Sequence, residues 1–222
     1  MTKGPHQGQP VRSAGVPLEQ AHAALVLIHG RGATADNILT LSPALDSPGF
    51  AYLAPQAGGH TWYPQSFLAP IQNNEPGISS GLQAIQDVLA RVGAAGVPLE
   101  RTVLLGFSQG ACLALEFAAR QARRYGGVVG LSGGLIGPDG TPRNYPGTLE
   151  ETPIFLGCSD VDPHIPAERV RETADVMRRL NGQVTMRLYP GMGHSINDDE
   201  IAAVRKIMAE LSPQRAQASP GG

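Results

Sequence analysis

The chain has 222 residues, 17 basic and 19 acidic side chains, and a formal net charge of −2, a length that suits one undivided domain with a single sizeable core. That balance leaves no basic stripe to neutralise a nucleic-acid backbone, so DNA and RNA are excluded as expected partners. Apolar runs such as Ala23–Ile28 fall far short of the roughly 20 residues that span a bilayer, and residues 1–20 carry Gly, Pro, Gln and single charges where a secretory signal needs a continuous apolar stretch; the expectation is a cytoplasmic protein with no membrane span.

Residues 1–20 and 212–222 lack hydrophobic periodicity and are rich in Pro, Gly, Gln and Ser, so both read as poorly anchored, flexible ends of a folded unit over residues 21–211. Ala23–Ile28 is the first short apolar run, the kind that forms a strand buried on both faces. It opens into His29-Gly30-Arg31-Gly32-Ala33. The next run, at 51–53, leads into a long connection that carries Trp62, Tyr63, Phe67 and Leu68 and is stiffened by Pro55, Pro64, Pro70 and Pro76. A helix is expected from about Ser79 or Ser80, because Leu82, Ile85, Leu89 and Val92 fall on one face.

The strand at 102–105 is followed by Gly106-Phe107-Ser108-Gln109-Gly110 and a helix over Gln109–Arg120. Strands at 128–131 and 154–156 come next, the latter running into Ser159-Asp160-Val161-Asp162-Pro163. A helix begins near Pro166, and Val184, Met186 and Leu188 alternate with polar neighbours in a last strand with one more exposed face. Gly191-Met192-Gly193-His194 leads to a closing helix with Ile201, Val204, Met208 and Leu211 on one side, and Asn197 with Glu200 forms a capping-box pattern at its start. Strands alternating with helices imply a mostly parallel α/β sheet with helices on both faces, whose site lies beyond the carboxyl ends of the strands.

Chemistry concentrates at those ends. A glycine-flanked serine between a strand and a helix is the setting of a nucleophile elbow, in which a strained turn exposes the hydroxyl. Ser108 is therefore the candidate nucleophile. The Gln109 N–H, at the positive end of the helix, and the Arg31 N–H, between two glycines, are the candidate donors to an oxyanion. Two aspartates compete for the orienting acid. Asp162, held extended before Pro163, is favoured, with Asp160 as a turn former. Of the six histidines, only His164 and His194 follow Asp162. His164 lies too close to Asp162 in the chain to reach Ser108 as well, so His194 is the candidate base. His29 is expected to shape the loop around Arg31, and His6 and His22 to be solvated. Trp62, Tyr63, Phe67 and Leu68 are the candidate substrate-binding wall, with Trp62 as the residue that limits acyl length. Cys112 and Cys158 lie in apolar segments and read as buried, reduced thiols.

These elements resemble the phospholipase/carboxylesterase family of small α/β-hydrolases, which includes acyl-protein thioesterases. The family carries H-G-x-G, G-F-S-Q-G, D-P-x-[VI]-P and G-x-G-H in this order, over roughly residues 23–211 here. The resemblance implies an α/β-hydrolase fold and a triad of Ser108, Asp162 and His194, with Arg31 and Gln109 as backbone oxyanion donors. It also implies hydrolysis of carboxylic esters or thioesters without metal or cofactor. Residues 58–77 depart from the thioesterase branch, because Trp62-Tyr63-Pro64-Gln65-Ser66-Phe67 replaces its tryptophan-centred motif continuing into an aspartate. The leading expectation is a carboxylesterase acting on a small ester of short to medium acyl chain through an acyl-enzyme on Ser108. A thioesterase or lysophospholipase with the same residues is the alternative, and a catalytically silent binding module is the third reading. A homodimer stays open.

Overall fold

The computed structural model describes residues 4–45 and 47–212 and gathers the apolar runs into one seven-stranded sheet of order β1-β3-β2-β4-β5-β6-β7. The strands are β1 (Val11–Gly15), β2 (Ala23–Ile28), β3 (Phe50–Pro55), β4 (Thr102–Phe107), β5 (Gly127–Leu131), β6 (Pro153–Ser159) and β7 (Gln183–Tyr189). β1 pairs antiparallel with β3, and all other neighbours are parallel.

The central strands are apolar on both faces because helices cover both. Leu25, Leu27, Leu105, Val129 and Phe155 pack against α1 (Ala35–Leu39) and α5 (Asp198–Glu210). Val26, Ile28, Leu104, Val128 and Leu156 pack against α2 (Gly77–Ala94), α3 (Gln109–Arg120) and α4 (Ala167–Arg179). Each such side chain contributes about 1.5–3 kcal/mol through its burial. β7 alternates half-buried Val184, Met186 and Leu188 with exposed Thr185 and Arg187, as an edge strand does.

Helix starts follow local chemistry. α2 begins ahead of Ser79 because the Glu75 carboxylate accepts from the Ser79 N–H at 3.0 Å and its hydroxyl at 2.8 Å. α5 opens on the expected capping box: Asn197 Oδ1 accepts from the Glu200 N–H, and Glu200 Oε2 accepts from the Asn197 N–H, both at 2.9 Å. The sequence reading contains no counterpart of α1, which is a single turn and a half capped by Thr34 Oγ1.

The amino-terminal expectation is overturned. Residues 11–15 of the segment read as loose are β1, in register with β3 from Val11 opposite Pro55 to Gly15 opposite Ala51. His6, expected to be solvated, is 4% exposed. Its Nε2 donates to the Trp62 carbonyl at 2.8 Å and its Nδ1 accepts from the Gly58 N–H at 3.0 Å. Backbone pairing and these two bonds anchor a segment that has no apolar run. His22 is half-buried with its ring edge-on to Phe50 rather than solvated, and burial lowers the pKa of both histidines. The expected tail, beyond Ser212, lies outside the described residues. No helix among the described residues is long and apolar enough to cross a membrane.

Candidate active site

β4 ends at Phe107 and α3 starts at Gln109, which leaves Ser108 to make the whole turn at φ 55° and ψ −122°. A non-glycine residue in that region is strained by about 1–3 kcal/mol and persists only where its surroundings enforce it. Here the neighbours do: a Cβ at Gly106 would run into the Gly110 carbonyl, and one at Gly110 into the Ile28 carbonyl. The Ser108 N–H is tied to the Leu131 carbonyl at 2.9 Å.

Loops after β6 and β7 bring the other two groups to this turn. His194 Nε2 lies 2.9 Å from Ser108 Oγ, and His194 Nδ1 lies 2.7 Å from Asp162 Oδ2. Asp162 Oδ1 accepts from the amides of His164 at 2.8 Å and Ile165 at 3.1 Å. Burial opposes ionisation of Asp162, but the bond from His194 and the His164 and Ile165 amides outweigh it, and its pKa lies below the usual carboxylate value. The second aspartate does something else. Asp160 Oδ1 accepts from the Gly191 N–H at 2.8 Å and so fixes the loop that carries His194. Gly191 and Gly193 bend that loop at φ 63° and 79°, a conformation that favours glycine. Phe107 and His164 pack on the His194 ring, with centroids 5.1 and 4.8 Å away.

Ser108 opens into a cavity of about 470 Å³ whose walls include Arg31, Tyr63, Phe67, Gln109, Ile165 and His194. Gln109 is the first residue of α3, where a backbone N–H has no acceptor within the helix. Arg31 follows Gly30, where an added Cβ would stand 3.3 Å from Ser108 Cβ. His29 shapes this loop from beneath: Nδ1 donates to the Gly30 carbonyl at 2.8 Å, and Nε2 accepts from the Ala57 N–H at 3.1 Å.

The aromatic connection divides. Tyr63 and Phe67 line the cavity, whereas Trp62 and Leu68 do not. Trp62 is fully enclosed in the core, its indole N–H donating to the His29 carbonyl at 2.9 Å, and Leu68 is half-buried against the same core. The assignment of Trp62 as the length-limiting wall is therefore corrected: the ring faces inward because its N–H finds a buried acceptor there.

Several side-chain contacts that hold the wall were not legible in the sequence, and of the residues that make them Asn74 was not singled out there at all. Gln109 Oε1 accepts from the Trp62 N–H and its Nε2 donates to the Tyr63 carbonyl, both at 2.8 Å. Buried Asn74 accepts from the Gln65 N–H and donates to the Ser66 carbonyl, also at 2.8 Å each. The Arg31 guanidinium donates to the carbonyls of Pro64 at 3.0 Å, Tyr63 at 3.0 Å and Gln65 at 2.6 Å. His164, set aside as a base, nonetheless stands in the cavity wall beside His194. Its place two residues after Asp162 was the one signal available. Cys112 also reaches the wall, and burial pushes its thiol up to about 11, so it stays protonated near neutrality.

A profile of the family described as Phospholipase/Carboxylesterase matches residues 15–212. A solved phospholipase/carboxylesterase from Dyadobacter fermentans is 40% identical with a TM-score of 0.88, and the match covers 94% of this chain and 99% of that one. Acyl-protein thioesterase 1 of Neurospora crassa is 29% identical over 150 residues, 66% of this chain and 60% of that protein. Acyl-protein thioesterase 1 of Candida albicans is 33% identical over 119 residues, 52% of each. The chain thus spans little more than half the length of these curated relatives.

Proposed function

The chain belongs to the phospholipase/carboxylesterase family of α/β-hydrolases, and from that premise we propose that it is a serine carboxylesterase acting on short to medium acyl esters through an acyl-enzyme on Ser108. The observation that carries the reading is the hydrogen-bonded series Ser108–His194–Asp162, at 2.9 and 2.7 Å, opening on one cavity. In this reading His194 Nε2 takes the Ser108 proton as Oγ attacks the ester carbonyl, and then gives it to the departing alcohol. Asp162 fixes the tautomer through Nδ1 and stabilises the imidazolium. The Arg31 and Gln109 backbone N–H groups receive the oxyanion, and water activated by the same imidazole releases the acid.

The cavity wall supports the short-to-medium preference. Tyr63 and Phe67 stand on a segment whose carbonyls and amides are pinned by Arg31, Asn74 and Gln109, so a long chain meets a wall that does not yield. Thioesters use the same groups, and the thioesterase relatives make them the second substrate class to assay. A cytoplasmic setting belongs to the same proposal, since Cys112 and Cys158 are buried, unpaired thiols. The test is labelling by a fluorophosphonate together with hydrolysis of a graded series of esters and thioesters. The wild type is expected to take the label at Ser108 and turn over short esters, and Ser108→Ala to do neither while keeping its fold. Esterase activity surviving in purified Ser108→Ala would end the assignment.

A further inference from the structure

Among the described residues that line the cavity, Arg31 is the only permanently charged side chain, and none is an aspartate or glutamate. Arg31 is exposed and has no carboxylate within ion-pair distance among the described residues. Two less exposed arginines contrast with it: half-buried Arg143 is paired with Glu172, and buried Arg169 with Asp139 and Glu172.

Arg31 is also held still. Its three bonds to the Tyr63, Pro64 and Gln65 carbonyls use Nη1 once and Nη2 twice. Of the five N–H donors of a guanidinium, that on Nε and the second on Nη1 have no partner among the described residues. The segment it grips is already pinned by Asn74 and by Gln109, so a staple here does not require a charge. What the arginine adds is a cation in the wall of the cavity that holds Ser108, with no carboxylate partner among the described residues.

Its position selects a part of the substrate. The leaving oxygen must face His194 Nε2, which returns the proton to it, so the acyl portion occupies the rest of the cavity, whose lining includes Arg31, Tyr63 and Phe67. We propose that the Arg31 side chain binds an anionic group on the acyl chain, and that the preferred substrates are half-esters of dicarboxylic acids, with one carboxyl esterified and the other free. This rests on the reading of Ser108 as the acylated residue.

The experiment compares mono(4-nitrophenyl) esters of glutaric and adipic acids with methyl-terminated acyl esters of matched length, after subtraction of spontaneous hydrolysis. A charge-assisted hydrogen bond to a partly exposed cation should favour the charged series by about ten-fold in kcat/KM. That ratio should shrink as ionic strength rises and fall to near unity in Arg31→Met, whatever that variant does to absolute rates. A ratio near one in the wild type overturns the proposal, as does a ratio unchanged in Arg31→Met, which would make the side chain a staple alone. Should Arg31→Met fail to fold, the wild-type ratio and its salt dependence decide. Hydrolysis of the neutral series with labelling of Ser108 but no preference removes only the role of Arg31; absence of both activity and label removes the esterase reading with it.

Discussion

Replacing Trp62 by alanine should unfold the protein more than it reshapes the substrate preference. The ring is fully enclosed and lies between His6 and His29, each with its centroid 5.1 Å away. Emptying such a site costs about 3–5 kcal/mol, and the buried His29 carbonyl then loses the indole N–H, a further ~1–3 kcal/mol. The two losses overlap, so about 4–6 kcal/mol is expected, against a total stability of about 5–15 kcal/mol for a domain. Trp62→Phe keeps most of the packing and should lose only about 1–3 kcal/mol. Urea unfolding followed by far-UV circular dichroism measures both, since Trp62 is the single tryptophan and its fluorescence disappears with it. At equal folded fraction the acyl-length profile should not change, because the ring does not face the cavity. A Trp62→Ala protein that loses less than about 1 kcal/mol, or one of full stability whose optimum moves to longer chains, would refute this account.

Phe67→Ala should be the substitution that lengthens the accepted acyl chain; profiles of kcat/KM against chain length check it, and an unchanged optimum would exclude Phe67 as the limiting wall. Asp162→Asn should lower kcat by about 10⁴ by favouring the wrong His194 tautomer, whereas Asp160→Asn keeps an acceptor for the Gly191 amide and should stay within about ten-fold; steady-state kinetics showing Asp160→Asn as the more damaging would reverse the roles. Burial raises the Glu200 carboxyl to about 7, above its unfolded value. Its contribution is therefore fully present below the unfolded pKa and is lost, by up to about 3 kcal/mol, as pH climbs to the folded pKa. Glu200→Gln should flatten that slope, and urea melts at about pH 5 and about pH 8 giving the same difference in both proteins would count against it.

The sequence made the middle of the sheet legible and its margins obscure. β2, β4 and β5 are buried on both faces, so their segments are unbroken apolar runs that only a covered strand tolerates. β1, Val-Arg-Ser-Ala-Gly, pairs on one side only and leaves Arg12 and Ser13 exposed; nothing in its composition separates it from a loop. Ser108, Asp162 and His194 were readable because each follows a strand within a few residues, where topology dictates the meeting point. The wall was not. Whether an aromatic in a long connection faces a cavity or the core depends on a distant partner, here the His29 carbonyl for Trp62. Asn74 and the Arg31 guanidinium act on backbone carbonyls and amides, which every residue possesses, so no spacing of side chains announces them.

The bond between Ser108 and His194 joins positions 86 residues apart, and His194 stands on the loop that follows the final strand. Translation proceeds from the amino end, so a growing chain exposes its serine, the Arg31 loop and the aromatic wall well before its imidazole exists. At ~5–20 residues per second that interval is about 4–17 s. Until β7 joins the edge of the sheet and the loop after it closes over Ser108, the half-made polypeptide holds the serine without its imidazole partner.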